Sequence, residues 1–462
     1  MTQRYNRRRF MGTTTMGAAA VALSGSAAPS HAAVRPGKGS RPNVVLYVVD
    51  DQGTTDAGCY GNPVIRTPGL DALARLGTRY SHAFCTTASC SASRSTILAG
   101  LHNHRTGQYG HQHSYHHFIS FSDLKTLPVL LAGKGYRTAC AGKYHVAPED
   151  VYHFQKYLNG PSPAEMADEC AEFIGGDEPF FLYFCTHEPH RPFKRDGSET
   201  VSPDDVIVPP YLPDSPECRD ELAKYYGSVE RTDRGLVQLM EVLRGAGKWD
   251  DTMIIYISDN GIAFPGAKTT LYDPGMRLPC VVRNPYAERT GVVSDAMISW
   301  IDIAPTILDF CGAIPDGYEF HGRSFLDTLE RGHTPDWDEV YGSHTFHEIT
   351  MYYPMRVIRT RKHKLIWNIA HGLDYPFASD LYASETWQGV LRRKEKYYAR
   401  RSVEAYIHRP QFELYDLEAD PLEVVNRAED PEYRVVLNDL KQRLKAFQER
   451  TSDPWIVKWE YE

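Results

Sequence analysis

Two pairs of polar residues stand where apolar runs end: Asp50 and Asp51 after Asn43 to Val49 (NVVLYVV), and Asp259 and Asn260 after Met253 to Ser258. Three carboxylates and an amide carbonyl are hard oxygen donors, a set that suits calcium or magnesium better than zinc. The same pairs are common as simple strand caps, so alone they define only a candidate. A second stretch, Ser89 to Gly100 (SCSASRSTILAG), carries Cys90 and Arg94. Ser93 to Leu98 lacks Gly and Pro and predicts a helix, which puts Cys90 and Arg94 at its start. Backbone N–H groups and the macrodipole favour an anion there, and Arg94 adds a charge-assisted contact. The chemistry on offer is the holding of an anion at the helix start and of a hard divalent ion at the strand ends.

These residues need a frame that brings strand ends together. Apolar runs recur at Arg137 to Ala141, Phe180 to Cys185 and Met253 to Ile257, separated by helix-like stretches. Uninterrupted apolar strands are the mark of a parallel sheet covered on both faces. From Glu217 to Leu243, residues Leu222, Tyr226, Val229, Leu236, Leu239 and Leu243 fall at helical spacing. The expectation is an α/β domain with a mostly parallel sheet between helices, whose strand carboxyl ends form the ligand crevice. After Gly332 the texture changes. Arg356 to Ile369 reads as a hairpin, Phe412 to Asp416 as a strand and Pro431 to Arg450 as an amphipathic helix. A smaller C-terminal domain with an antiparallel sheet and a helix is therefore expected over 333–462, after a catalytic domain over 41–332.

Within SCSASRSTILAG, Cys90, Ala92 and Arg94 match the C-x-[PA]-x-R core of the formylglycine sulfatase signature, and Leu98 and Gly100 continue it. Here the chain resembles the type I sulfatases of the alkaline phosphatase superfamily. The resemblance implies an alkaline-phosphatase-like fold, one Ca²⁺ held by Asp50, Asp51, Asp259, Asn260 and residue 90, and oxidation of Cys90 to formylglycine (3-oxoalanine) by a maturation enzyme. A hydrated aldehyde would solve a turnover problem that serine faces. Once one hydroxyl is sulfated, the other can collapse to the aldehyde and expel sulfate. The resemblance further implies that Lys143 and His190 contact the sulfate, that His145 assists the diol, and that His190 protonates the leaving atom. Such acid catalysis typically contributes about 100- to 10,000-fold. Lys268, after Asp259-Asn260-Gly261 and the loop AFPGAK, matches a second sulfate-binding cation. Some sulfamidases carry Arg there, and Lys keeps the charge without the planar fork.

The stretches GLHNHRTGQYGHQHSYHHF, GKYHVAPEDVYHF, SDNGIAFPGAKTTLY and HEITMYYPMR look like the N-sulfoglucosamine sulfohydrolases, the sulfamidase branch, more than like arylsulfatases or O-sulfatases. That likeness implies a heparan-type glycan with N-sulfated glucosamine at its non-reducing end as substrate. Glu188, His347, Glu348 and Arg356 are candidates for sugar contacts, the last three because they lie at the junction of the two expected domains. A salt-bridge network between the domains is the other reading of the same residues. The histidines at 102, 104, 111, 113, 116 and 117 could suggest a metal cluster, but calcium prefers oxygen ligands, and they are expected instead at the rim of the pocket. Ala92 stands where Pro is commonest in the signature and Ala99 where Thr is common; the second would weaken recognition by the maturation enzyme.

Composition narrows the alternatives. At 462 residues and 42% hydrophobic content the chain can bury a large core. Nine cysteines without CxxC spacing argue against a disulfide framework or a structural zinc. Arg7, Arg8, Arg9 and Phe10 precede a mild apolar stretch ending at Leu23, too short to span a bilayer. It looks like a twin-arginine export signal over 1–32, implying passage through the twin-arginine translocase to the periplasm or beyond. Cutting there removes four arginines and no acidic residue, taking the formal charge from −8 to −12. Such an acidic body argues against general nucleic-acid binding. The oligomeric state, a homodimer included, stays open. So do three competing functions: an O-sulfatase on another glycan, a formylglycine phosphodiesterase or phosphonate hydrolase, and a secreted glycan-binding protein that lacks the modification.

Overall fold

In a computed structural model the apolar run Asn43–Val49 forms the strand β1 near the middle of an eight-stranded sheet. The structure describes residues 35–460 apart from 38, 194–196, 198 and 199, so the expected export signal lies outside the described residues. The other strands are β2 (Thr78–Tyr80), β3 (Arg137–Gly142), β4 (Lys156–Leu158), β5 (Phe180–Cys185), β6 (Thr252–Ser258), β7 (Cys280–Arg283) and β8 (Val292–Ser294). Their spatial order is β4-β3-β5-β1-β6-β7-β2-β8. Every pairing is parallel except those of β7, which runs against both β6 and β2. This is the mostly parallel sheet expected from the sequence.

The apolar character of β1 on both sides follows from its place. Val44, Leu46 and Val48 join one core cluster, whereas Val45, Tyr47 and Val49 join another. Alternate side chains leave a strand on opposite faces, so a central strand covered on both sides has no polar position to spare. On one face lies α1 (Cys90–Ala99), contributing Ile97 and Leu98. The other is covered by α2 (Pro163–Glu169), which contributes Met166, and by the C-terminal half of α3 (Pro216–Gly245), which contributes Leu236, Leu239 and Leu243. Two sequence signals start α3: Ser215 accepts a hydrogen bond from the Cys218 N–H, and Pro216 fills the first helical position.

The expected antiparallel sheet comprises β9 (Glu339–His344), β10 (Met355–Thr360), β11 (His363–Asn368) and β12 (Phe412–Asp416), in that order. Ile358, Leu365, Trp367 and Leu414 pack beneath α4 (Arg434–Thr451) through Leu440, Leu444 and Phe447. The opposite face sends Val357 and Ile366 into the main core. Residues Ala33–Glu462 form one compact unit, so position 332 marks a change of sheet within it.

Candidate active site

Four strands deliver side chains to one edge of the large sheet. Asp50 and Asp51 follow β1, Lys143 follows β3, His187 and His190 follow β5, and Asp259 and Asn260 follow β6. Parallel strands all end at the same edge, so residues far apart in sequence converge. The fifth contribution is α1. Cys90 is its first residue, Ser89 is its extended N-cap, and all ten residues are buried. Ser89 does not cap the helix with its own hydroxyl; its Oγ lies 2.9 Å from Nδ1 of His347. At the far end Gly100 has φ +67°, and a Cβ there would stand 2.6 Å from the Phe320 ring, so Gly closes the helix on both counts.

The acidic pairs and the thiol form one cluster. Asp50, Asp51, Asp259 and Cys90 each offer a ligand atom within 4.8 Å of the others. Asn260 donates from Nδ2 to Asp51 Oδ1 at 2.6 Å, and Cys90 Sγ lies 3.6 Å from that same oxygen. Arg94 Nε and Nη2 are each 2.9 Å from Asp259 Oδ2, and Arg94 also donates to the Lys143 carbonyl at 3.1 Å. Lys143 Nζ reaches Asp50 Oδ2 at 2.5 Å. Lys268 Nζ donates to Asp51 Oδ2 at 2.8 Å and to Asp380 Oδ2 at 3.1 Å, and stands 3.0 Å from His190 Nε2.

The electrostatics of this cluster suit a cation. Burial opposes ionisation of Asp50, but Lys143, His190, Arg94 and Lys268 overcome it and hold its carboxyl well below the usual range. Burial pushes Asp259 up to about 7; Arg94 works against that rise, and the crowding of Asp50 and Asp51 adds to it. A divalent ion among these oxygens would relieve that crowding. Two buried oxygens, Asp50 Oδ1 and Asn260 Oδ1, have no hydrogen-bond partner. Orphaned buried acceptors beside carboxylates are what an oxygen-seeking ion would satisfy, so the residues fit calcium. Burial and then the Asp51 charge raise the Cys90 thiol well above its ordinary range. As a thiol, Cys90 is protonated and a poor nucleophile.

Asp50 of this cluster lines a pocket of about 580 Å³ together with Lys143, His145, His190, Glu188, His347 and Glu348 among others, whereas Cys90, Asp51, Asp259 and Asn260 are buried and do not line it. His111, His113 and His116 also line it, as expected for rim residues. Glu188 is engaged by Arg231 Nε at 2.9 Å, and Glu348 accepts from both the N–H and the hydroxyl of Ser379 at 2.8 and 2.5 Å. Three expectations are corrected. Arg356 does not line the pocket: it is buried, its Nε and Nη2 bond Asp453 at 2.5 and 2.9 Å, and it lies over the Trp455 ring. His102 and His104 instead stack beside His321 and Phe447, because the short helix Asn103–Thr106 turns the chain between the two groups of histidines. His117 is exposed and does not line the pocket either. Asp380 was missed. It stands on the short helix Ser379–Tyr382, 112 residues from its partner Lys268, and no local pattern marks it.

The sulfatase family profile matches residues 42–313. The chain belongs to the sulfatase family. A second profile, described as N-sulphoglucosamine sulphohydrolase, C-terminal, matches residues 266–378 of this sulfatase. The human N-sulphoglucosamine sulphohydrolase is 36% identical over 90% of this chain and 92% of its own. An ulvan-active sulfatase of Formosa agariphila is 29% identical over 89% and 81%. Two solved structures share the fold. One protein, in complex with its substrate D-glucosamine-2-N,6-O-disulfate, has a TM-score of 0.69 at 22% identity and covers 92% of this sulfatase and 100% of itself. The phosphonate monoester hydrolase of Agrobacterium radiobacter also scores 0.69, at 20% identity, covering 89% and 96%.

Proposed function

We propose that this sulfatase removes the sulfate from the nitrogen of N-sulfoglucosamine at the non-reducing end of heparan-type glycans, with formylglycine at position 90 and one calcium ion. The observation that carries this reading is the 36% identity to the human N-sulphoglucosamine sulphohydrolase along nearly the whole of both chains. The phosphonate hydrolase shares the fold at lower identity, and fold alone does not choose a reaction.

Asp50, Asp51, Asp259 and Asn260 would hold the ion beside residue 90. Together the ion and the hydrated aldehyde supply a nucleophilic hydroxyl and a route to release sulfate. The remaining work falls to the side chains. Residue 90 opens α1, so the helix N–H groups face incoming anionic oxygens. Lys143 and Lys268 add two cations at the same floor, each already anchored by a carboxylate. Arg94, fully buried, ties Asp259 to the Lys143 backbone and so fixes the ligand geometry. His190 Nδ1 bonds the Arg191 carbonyl, which leaves Nε2 facing the pocket. Nε2 stands 3.0 Å from Lys268 Nζ, with the Asp51 and Asp380 carboxylates 3.7 and 4.0 Å away, so it sits among groups that exchange protons and is placed to pass one to the leaving amine. An amine leaves very poorly as an anion, so this proton matters more than it would for an aryl sulfate.

Maturation by a formylglycine-generating enzyme and export by the twin-arginine route complete the proposal. The test is sulfate release by protein of verified modification, from N-sulfoglucosamine, 6-O-sulfoglucosamine, an aryl sulfate and a phosphonate monoester. The expected kcat/KM for the N-sulfated sugar exceeds the others by about 100-fold or more. Preference for the phosphonate or the 6-O-sulfate would overturn the assignment.

A further inference from the structure

The proposed calcium site uses oxygen donors, yet the wall of the pocket above it is built from imidazoles. His111, His113 and His145 each offer a ring nitrogen within 4.8 Å of the others. Their ring centroids form a near-equilateral triangle, 4.8 Å from His111 to His113, 4.8 Å from His113 to His145 and 5.0 Å from His111 to His145. One ring contact lies within the trio and one leads out of it. His113 Nδ1 faces His145 Nε2 at 2.8 Å, and His111 Nε2 faces His347 Nε2 at 3.0 Å. The second nitrogen of each buried ring, His111 Nδ1 and His145 Nδ1, has no hydrogen-bond partner. Two buried rings with orphaned nitrogens beside a third, exposed ring form a cluster that its own hydrogen bonds do not satisfy.

We infer that His111, His113 and His145 form a second, nitrogen-donor metal site for a divalent transition ion of the zinc class, distinct from the oxygen-donor site at Asp50, Asp51, Asp259 and Asn260. Neutral imidazole is a ligand of zinc and of its neighbours in the first transition row, and calcium does not choose it. Each neutral ring keeps one nitrogen lone pair; the hydrogen shared by His113 Nδ1 and His145 Nε2 moves to the other nitrogen of its ring, such as the unpartnered His145 Nδ1, so three donors become available with no net change in protonation. An ion with bonds of about 2.0–2.1 Å needs donor nitrogens about 3.3 Å apart. The His113–His145 pair must open slightly and His111 close in, movements that side-chain rotation supplies. His111 is steadied through its backbone, which donates to the His347 carbonyl at 2.9 Å and accepts from the Phe118 N–H at 3.0 Å. His113 is exposed and gives the ion a path in, and the pocket leaves a fourth position for water. Glu348, Asp380 and Asp50 line the same pocket and offset the added charge against Lys143.

An ion so placed would take His145 out of the reaction and narrow the entrance, so its effect is reversible inhibition. This consequence, unlike the site itself, rests on reading the pocket as the place of desulfation. The probe is Co²⁺, added stoichiometrically to the mature, calcium-loaded enzyme. A visible absorption band of four-coordinate cobalt is expected, with calcium content unchanged. The band is lost in H113A and in H111Q, the first at an exposed position where folding is not at risk. In parallel, Zn²⁺ inhibits the wild type, and H113A requires at least tenfold more Zn²⁺ to halve its own metal-free rate. No band at one equivalent, or a band that survives in both variants, would overturn the site. A band that follows the variants while Zn²⁺ leaves the rate untouched would overturn the inhibition and the reading of the pocket, and uphold the site.

Discussion

Cys90 Sγ lies 3.6 Å from Asp51 Oδ1, at the first position of a buried helix and at the end of the central strand of the sheet. Two elements whose residues are 39 apart in sequence thus place a small side chain against a buried carboxylate.

Replacing Cys90 by Ala removes the sulfur through which maturation would oxidise Cβ, and little else. Turnover of N-sulfoglucosamine is expected to fall by about 10⁴-fold or more, because no other group at this floor is a competent nucleophile. Against the unmatured thiol form, the loss of one buried sulfur costs about 1 kcal/mol of stability. Sulfate release with thermal unfolding on the same samples checks both halves; retained turnover would remove residue 90 from the mechanism.

Calcium should stabilise the fold as well as serve the reaction, since its ligands are otherwise crowded carboxylates and an orphaned amide oxygen. Binding to the folded state alone contributes about 2.7 kcal/mol at a free concentration 100 times Kd. A chelator is expected to lower Tm by several degrees, with recovery on adding Ca²⁺, and N260A should shrink that difference. A Tm indifferent to calcium would argue against this ligand set.

Arg356 illustrates how sequence context misleads. HEITMYYPMR sits between two expected domains, which suggested a sugar contact, but β10 turns Arg356 inward to Asp453, the N-cap of the final 3₁₀ turn. Burial raises the Asp453 carboxyl, and the hydrogen bonds and charge of Arg356 more than reverse this, holding it well below the usual range. R356A removes the ion partner of that buried carboxylate, a change that typically costs about 3–5 kcal/mol, of which the hydrogen bonds from Gln448 Nε2 and the Trp455 N–H recover a part. Urea unfolding should register the loss while KM for the sugar stays the same; a raised KM at unchanged stability would restore Arg356 to the binding surface.

His321 gives the protein an acid-side weakness. Burial, then Arg105 and Arg450, push its ring down to about 4. The unfolded chain therefore takes up this proton near pH 6.5 and the folded chain only near 4. The contribution of the neutral ring is complete above about pH 6.5 and is lost as pH falls toward 4. H321Q keeps an acceptor for the His102 N–H, which donates to His321 Nδ1 at 3.2 Å. Its urea midpoint is expected to vary less between pH 4 and 7 than that of the wild type; parallel curves would show that His321 does not carry the effect.

β1 and β5 were legible because burial on both faces leaves an unbroken apolar run, and they begin and end where the sequence reading set them; β12, FELYD, also has the expected bounds, marked by the turn at Asp420 and Pro421 rather than by an apolar run. The convergence of Asp50, Asp51, Asp259 and Asn260 was legible for a related reason, since parallel strands bring their ends to one edge. Distance in sequence hid the rest. Asp380 meets Lys268 and approaches His190 only because the segment after β11 folds back over the pocket. The two histidine groups, 102 and 104 against 111, 113 and 116, are alike in the sequence and are separated only by where the chain turns between them. Exposure would not have found Cys90 either: all nine cysteines are free, and the two least buried are Cys59 and Cys311.

Residue 90 should react only after its Cβ has been oxidised to the aldehyde with loss of the sulfur, so activity should follow the extent of that conversion. Preparations matured to different extents are digested, the fraction of peptide carrying formylglycine at position 90 is read by mass spectrometry, and each is assayed for sulfate release from N-sulfoglucosamine. Specific activity is expected to rise in proportion to that fraction and to vanish with it. Full activity in protein whose Cys90 is entirely thiol would contradict the account.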